Sequence, residues 1–164
     1  MSRDLSDPGQ APQSDGDLLF VYGSLRRGSS HHHLLQRLHA CFAGPGSVKG
    51  QLFDLGRFPG ARPRAVDQGP ATAALAPEPA KPGRVAGELY RLRNPVRDLA
   101  ALDRYEDYRP GSPDASFFRR EVARIRRRDG TEVTAWIYWL NRASHPQRAV
   151  ASGDYARRKI RDRP

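Results

Sequence analysis

Apolar residues fall into a few blocks separated by polar or Pro/Gly-rich stretches. Asp17–Tyr22 is a nearly unbroken apolar run ended by Gly23, which predicts a buried strand. His31–Ala40 carries Leu34, Leu35 and Leu38 as a helical stripe, with Ser29 or Ser30 placed to cap it. Val48–Leu55 and Arg84–Leu92 predict strands. Asn94-Pro95 then sets a capping residue before a proline at the first helical position. The helix it opens, Val96–Glu106, turns Val96, Leu99, Ala100 and Leu102 inward. Phe117–Arg128 and Glu132–Leu140 flank Asp129-Gly130, a strong hairpin signal. Val133–Leu140 is apolar on both faces, which predicts an interior strand. The order β-α-β-β-α-β-β lacks regular βα alternation. It predicts an α+β domain built on a mixed, curved or barrel-like sheet with a few short helices.

The gaps between blocks define the organisation. Residues 1–16 are Pro, Gly, Gln, Ser and Asp with almost nothing apolar, as in a disordered tail. Residues 59–83 hold six of the fourteen prolines and read as an insert or lid. Residues 141–164 read as a basic C-terminal segment. A single domain is expected over 17–140, its core drawn from 17–58 and 84–140.

Composition removes several classes of function. With one cysteine, Cys41, no internal disulfide or Cys-based zinc site is available, and Cys41 reads as a packed or passive thiol. No apolar run approaches the roughly 20 residues of a membrane helix, and the N-terminus lacks a signal-peptide core. A cytoplasmic, membrane-free protein is the expectation. The net charge of +10, from 28 Lys+Arg against 18 Asp+Glu, invites a nucleic-acid-binding reading. Against it, no helix-turn-helix, zinc-finger or aromatic RNA-binding pattern is present. Half of the charge also lies in 141–164, where six Arg and one Lys face two Asp.

Two features carry chemistry. Tyr22-Gly23-Ser24-Leu25-Arg26-Arg27-Gly28 joins the first strand to a helix. Its glycines permit close approach of a ligand, and successive N–H groups before a helix favour an anion or oxyanion; an ordinary βα turn is the plainer reading. The second feature is Glu106, which stands at i+7 from Leu99 and i+4 from Leu102, on the core stripe of its helix. Desolvation and the helix C-terminus both raise the pKa of such a carboxylate toward acid–base use. An ion pair with Arg104, Arg109 or an arginine of the next strand is the alternative. Asp103, one turn earlier, leaves a two-carboxylate glycosidase formally open. His31-His32-His33 point in different directions on a helix and do not make a metal site.

The chain resembles the γ-glutamylcyclotransferase superfamily, in particular its AIG2-like and γ-glutamylamine cyclotransferase branch. The resemblance runs through Leu19–Gly28, Gln51–Gly56 with Phe58-Pro59-Gly60, Gly87-Glu-Leu-Tyr90, Leu102-Asp-Arg-Tyr-Glu106, Phe118–Val122, Ala135–Tyr138 and Ser152–Tyr155. Asp107 departs from it, standing where the family often has Gly.

The resemblance implies a barrel-like sheet whose cavity joins the Tyr-Gly-Ser-Leu loop to the glutamate. It implies that Tyr22, Gly23, Ser24 and Leu25 hold a γ-glutamyl group and that Glu106 is the acid/base. The implied reaction is cyclisation to 5-oxoproline with release of an amine, without metal or cofactor. Arg26, next to the loop, is a candidate for a substrate carboxylate, and Tyr138 a candidate cavity hydroxyl. Tyr105 and Tyr108 are wall or surface. The implied partner is a small γ-glutamyl-containing molecule. A non-catalytic metabolite-binding member of the same fold is the alternative, and the basic nucleic-acid module a more distant one.

Overall fold

The computed structural model describes residues 16–64, 83–142 and 148–156. All but Gly16 of the expected tail (1–16), most of the expected insert (65–82 of 59–83), and residues 143–147 and 157–164 of the expected basic C-terminal segment lie outside the described residues.

Seven strands make one mixed sheet: β1 (Leu18–Val21), β2 (Cys41–Asp54), β3 (Pro59–Pro63), β4 (Arg84–Arg91), β5 (Phe118–Arg127), β6 (Glu132–Leu140) and β7 (Arg148–Ala149). Their order is β3-β2-β4-β1-β6-β5, with β7 on β2 and an additional β2–β5 pairing. That pairing, Gly46 with Arg127 and Ser47 with Arg126, closes β2-β4-β1-β6-β5 into a barrel. The α+β, barrel-like expectation therefore holds. Burial explains the centre: every residue of β1 is buried, and β1 lies between antiparallel β4 and parallel β6. The last four residues of β6 are buried too, as an interior strand requires. Apolar side chains collect in two clusters on opposite faces of β1, one around Leu18, Phe20 and Ile137, the other around Leu19, Val21 and Leu102.

Two helices complete the fold, α1 (His33–Arg37) and α2 (Pro95–Tyr105). α2 starts as its sequence dictates: the Asn94 side chain accepts from Arg97 N at 3.2 Å, with Pro95 at the first position. Its inner face differs from expectation in one respect. Leu99 and Leu102 are buried, but Val96 and Ala100 are exposed and Asp98 is buried instead. Asp98 is held there by the backbone of the cap, accepting from Asn94 N at 3.0 Å, and by Arg97.

Three further expectations change. Pro59–Pro63, read as the start of an insert, is a strand paired with β2 from Gly50 to Asp54. The segment after 140 returns to the domain: β7 pairs with Phe53 and Asp54, and Val150 and Tyr155 pack against the core. Gly153 shows how tightly that segment is seated. It has φ +67°, and a Cβ there would lie 1.9 Å from the Arg84 carbonyl oxygen, so only glycine fits. Cys41, expected to be packed or passive, is exposed at the start of β2.

Candidate active site

A cavity of about 330 Å³ opens where the end of β1, the end of α2, the β2–β3 turn and the start of β5 meet. Its size suits a small metabolite. Tyr22, Gly23, Ser24 and Leu25 line one wall and Glu106 another, so the two features read from the sequence face a common space. Tyr138 lines it as well.

The loop wall is positioned by backbone and hydroxyl contacts. The Tyr22 hydroxyl donates to the Tyr138 carbonyl at 2.7 Å and accepts from Ala61 N at 3.1 Å, tying β1 to β6 and β3. Burial, and then the charge of Glu106, push that phenol well above its ordinary range, so it serves as a fixed neutral strut. Gly23 is required by proximity: a Cβ there would come within 2.7 Å of the Pro59 ring. The turn that follows closes through Arg26 N to Gly23 O and His31 N to Ser24 O. No described residue accepts from the amide N–H of Gly23, Ser24 or Leu25, which leaves three donors beside the cavity. Ser24 Oγ and Tyr105 Oη lie 2.8 Å apart, joining the loop to the end of α2, and the ring of His31, which also lines the cavity, lies tilted against Tyr105 at 5.3 Å.

Arg26 is elsewhere. It does not line the cavity; its Nη1 donates to Asp154 at 2.8 Å and its Nε lies 3.8 Å from Glu88. The expectation that Arg26 meets a substrate carboxylate is corrected on that ground, since two acidic side chains already hold the guanidinium. Glu88 also accepts from Arg27 N at 3.0 Å and from the Tyr90 hydroxyl at 2.7 Å, so it anchors the far side of the loop.

Glu106 ends α2. Its N–H bonds to Leu102 O, Asp107 N to Arg104 O, and Tyr108 N to Asp103 O, the reciprocal pattern of a Schellman cap. That cap needs a left-handed residue, and Asp107 supplies it with φ +50°. The reversal turns the chain away while the Glu106 side chain stays on the stripe begun by Leu99 and Leu102. No described residue donates to or pairs with the Glu106 carboxylate. Burial alone raises it from the ordinary 4.5 to about 8. Of the ion pairs open to Glu106 in the sequence, none with Arg104, Arg109 or an arginine of β5 is formed.

Asp103 differs. It is buried, lies 2.9 Å from Arg120 Nε, and accepts from the Tyr138 hydroxyl at 2.7 Å. It does not line the cavity, which removes the geometry of a two-carboxylate glycosidase. Tyr138, with its proton committed to Asp103, is buried and its pKa is pushed far up, first by burial and then by Asp103.

The sequence left the remaining wall unread. Phe58 from the β2–β3 turn and Phe117 and Phe118 from the start of β5 line the cavity, with ring centroids 5.2–6.1 Å apart. Tyr105 is wall, whereas Tyr108 packs in the core under Arg120. Phe58-Pro59 and Phe118 fall in segments that carry the family resemblance, but a ring in a turn or at the start of a strand has no periodicity that marks a site, and Phe117 carried no signal.

Among the described residues, no group of three or more His, Cys, Asp or Glu is arranged to hold a metal ion. No described helix is long and apolar enough to cross a membrane.

A closed mixed barrel, with a glycine-bearing loop facing a partnerless glutamate, is the arrangement the AIG2-like resemblance implies. The family model for gamma-glutamyl cyclotransferase, AIG2-like, matches residues 19–157, and the chain belongs to that family. Among its relatives, a Vibrio cholerae protein named "Putative gamma-glutamylcyclotransferase" is 32% identical over 146 residues, covering 86% of this chain and 96% of that one. Solved structures agree on the fold. YtfP from Escherichia coli shares 29% identity with a TM-score of 0.52, over 87% of this chain and 98% of that one. An AIG2-like protein from Mus musculus shares 22% identity with a TM-score of 0.56, over 78% and 80%. YkqA from Bacillus subtilis gives a TM-score of 0.60 at 23% identity; the match covers 88% of this chain but 41% of YkqA.

Proposed function

We propose that this protein is a γ-glutamylcyclotransferase-like enzyme that cyclises the γ-glutamyl group of a small γ-glutamyl amide to 5-oxoproline and releases the amine. The observation that carries the reading is Glu106: a carboxylate on the cavity wall, without a partner, with a pKa raised to about 8, opposite a loop with free N–H groups.

The chemistry asks little of the protein. In a γ-glutamyl amide the α-amine and the γ-carbonyl carbon belong to one molecule, and a correctly folded conformer closes a five-membered ring. Such intramolecular attack reaches effective molarities of roughly 10⁵–10⁸ M. Ionised Glu106 takes a proton as the ammonium becomes the nucleophile, then delivers it to the departing nitrogen. The ring C–N bond forms, the exocyclic C–N bond breaks, and no water is consumed. The amides of Gly23, Ser24 and Leu25 are the donors for the tetrahedral oxyanion, each worth about 3–4 kcal/mol where such donors have been removed. Ser24 and Tyr105 fix the spacing between loop and base. Tyr22 and Tyr138, both neutral, shape the cavity without exchanging protons.

The direct test is 5-oxoproline release across γ-glutamyl amines, γ-glutamyl amino acids and glutathione. Glu106→Gln keeps the shape and removes the base, and kcat/KM is expected to fall by roughly 10²–10⁴-fold. Wild-type turnover in that variant would remove Glu106 from the mechanism. Because the base acts ionised, kcat/KM rises with pH and levels off near the Glu106 value of about 8.

A further inference from the structure

The chain has 28 Lys and Arg, yet none of them is among the described residues lining the cavity. Among the described lining residues the carboxylates are Glu106 and Asp107, the latter 3.7 Å from the exposed Arg109, and the one imidazole, His31, packs against Tyr105 beside the loop. The nearest candidate cation in the sequence, Arg26, is consumed by Glu88 and Asp154. Asp103 similarly holds Arg120, which stacks over Trp136 and Tyr108. The part of the wall built by the β2–β3 turn and the start of β5 is aromatic. Phe58 meets Phe117 edge-on at 74° and 5.8 Å, and Phe118 lies 5.2 Å from Phe117. Phe58 and Phe117 keep partial exposure, and both line the cavity.

We infer from this juxtaposition that Phe58, Phe117 and Phe118 form the subsite for the leaving amine, and that the substrates are γ-glutamyl amides of aromatic or bulky apolar amines without a carboxylate. The inference rests on the cyclisation reading above for the identity of the other half of the substrate. A γ-glutamyl amino acid that places its leaving group among these phenylalanines would set its carboxylate where the described wall offers no Lys or Arg and where Glu106 is close by. Desolvating that anion without a partner is unfavourable. An aromatic amine instead buries its ring beside Phe58 and Phe117, which meet edge-on, and the tilted Phe118. The step balances for this class as for any other: the α-nitrogen bonds to the γ-carbon, the arylalkylamine leaves with the electron pair of its C–N bond, and the proton taken by Glu106 ends on its nitrogen.

The test compares three γ-glutamyl compounds: the 2-phenylethylamide, the phenylalanine conjugate, which has the same ring plus a carboxylate, and the ethylamide, which has neither. For wild type, kcat/KM is expected to be at least about tenfold higher for the phenylethylamide than for either other compound, the scale of one buried ring. Phe117→Ala and the milder Phe58→Leu should both shrink the phenylethylamide-to-ethylamide ratio; the second variant retains apolar bulk, so a folding defect in the first does not decide the matter. In parallel, calorimetry measures wild-type binding of the matching glutaryl amides, which lack the α-amine and cannot close the ring. Tighter binding of the glutaryl phenylethylamide than of the glutaryl phenylalanine supports the subsite even where no compound yields 5-oxoproline, an outcome that overturns the cyclisation reading alone. Equal binding, or preference for the carboxylate, overturns the subsite.

Discussion

Asp103 and Glu106 stand three residues apart near one helix end, Asp103 buried beside Tyr138 and Glu106 half-buried on the cavity wall. Their fates diverge because of what faces them. Asp103 meets Arg120 and the Tyr138 hydroxyl, and its charge is spent on joining α2 to β5 and β6. Glu106 meets only the cavity, and burial without a partner lifts its pKa to about 8. Position on a helix brings a carboxylate toward the interior; the presence or absence of a cation then decides whether it is tied into the fold or left with a raised pKa.

This contrast can be broken in order of effect. Removing the unpaired member should be largest in activity: Glu106→Gln is expected to lose roughly 10²–10⁴-fold in kcat/KM with the fold retained by circular dichroism. Removing the paired member should be largest in stability. Asp103→Ala leaves Arg120 partly buried without its anion and is expected to lower unfolding free energy by about 2–4 kcal/mol in urea titration, while 5-oxoproline release falls far less than in Glu106→Gln. Unchanged stability together with abolished turnover would exchange the two roles.

The third effect concerns pH. The folded-state pKa of Glu106 lies above its unfolded value, so the folded chain binds the extra proton between about 4.5 and 8 and loses stability as pH rises through that window. Glu106→Gln lacks this term. It is expected to match wild type near pH 5 and to exceed it by on the order of 2–4 kcal/mol above pH 8, read from melting curves against pH. The smallest effect belongs to the cap that orients Glu106. Asp107 holds a left-handed conformation that costs an L-residue about 1–2 kcal/mol, and Asp107→Gly should recover about 1 kcal/mol as a modest rise in Tm. A drop in Tm would mean that the Asp107 side chain itself steadies the turn.

Much of this arrangement was legible in the sequence. Glu106 could be found because helical spacing put it on the stripe of Leu99 and Leu102, and the hairpin around Asp129-Gly130 because its turn chemistry is local. Reading failed where distant segments decide. β2 begins at Cys41 rather than near Val48 because Gly44-Pro45-Gly46 interrupts the apolar pattern, although β4 pairs alongside and a bulge absorbs the irregularity. β3 was hidden by prolines at both ends, which an edge strand tolerates. Arg26 looked free because Glu88 and Asp154, which hold it, come from β4 and from the chain's last described turn. Phe58 comes from the β2–β3 turn and the adjacent pair Phe117-Phe118 from the start of β5, and they become a wall only when the barrel closes.

The placement of β1 between β4 and β6 also bears on how the chain reaches its native state. Leu19 pairs with Tyr90 on one side and with Trp136 on the other, so its most hydrophobic strand depends on partners made much later. At roughly 5–20 residues added per second, Leu18–Val21 spends on the order of ten seconds outside the ribosome before β6 exists. Long-range pairing of this kind folds in about milliseconds to seconds once the chain is complete. The bare segment therefore stays the unpaired apolar stretch of the nascent chain until β6 is made, and truncation before β6 should leave it exposed and prone to aggregate.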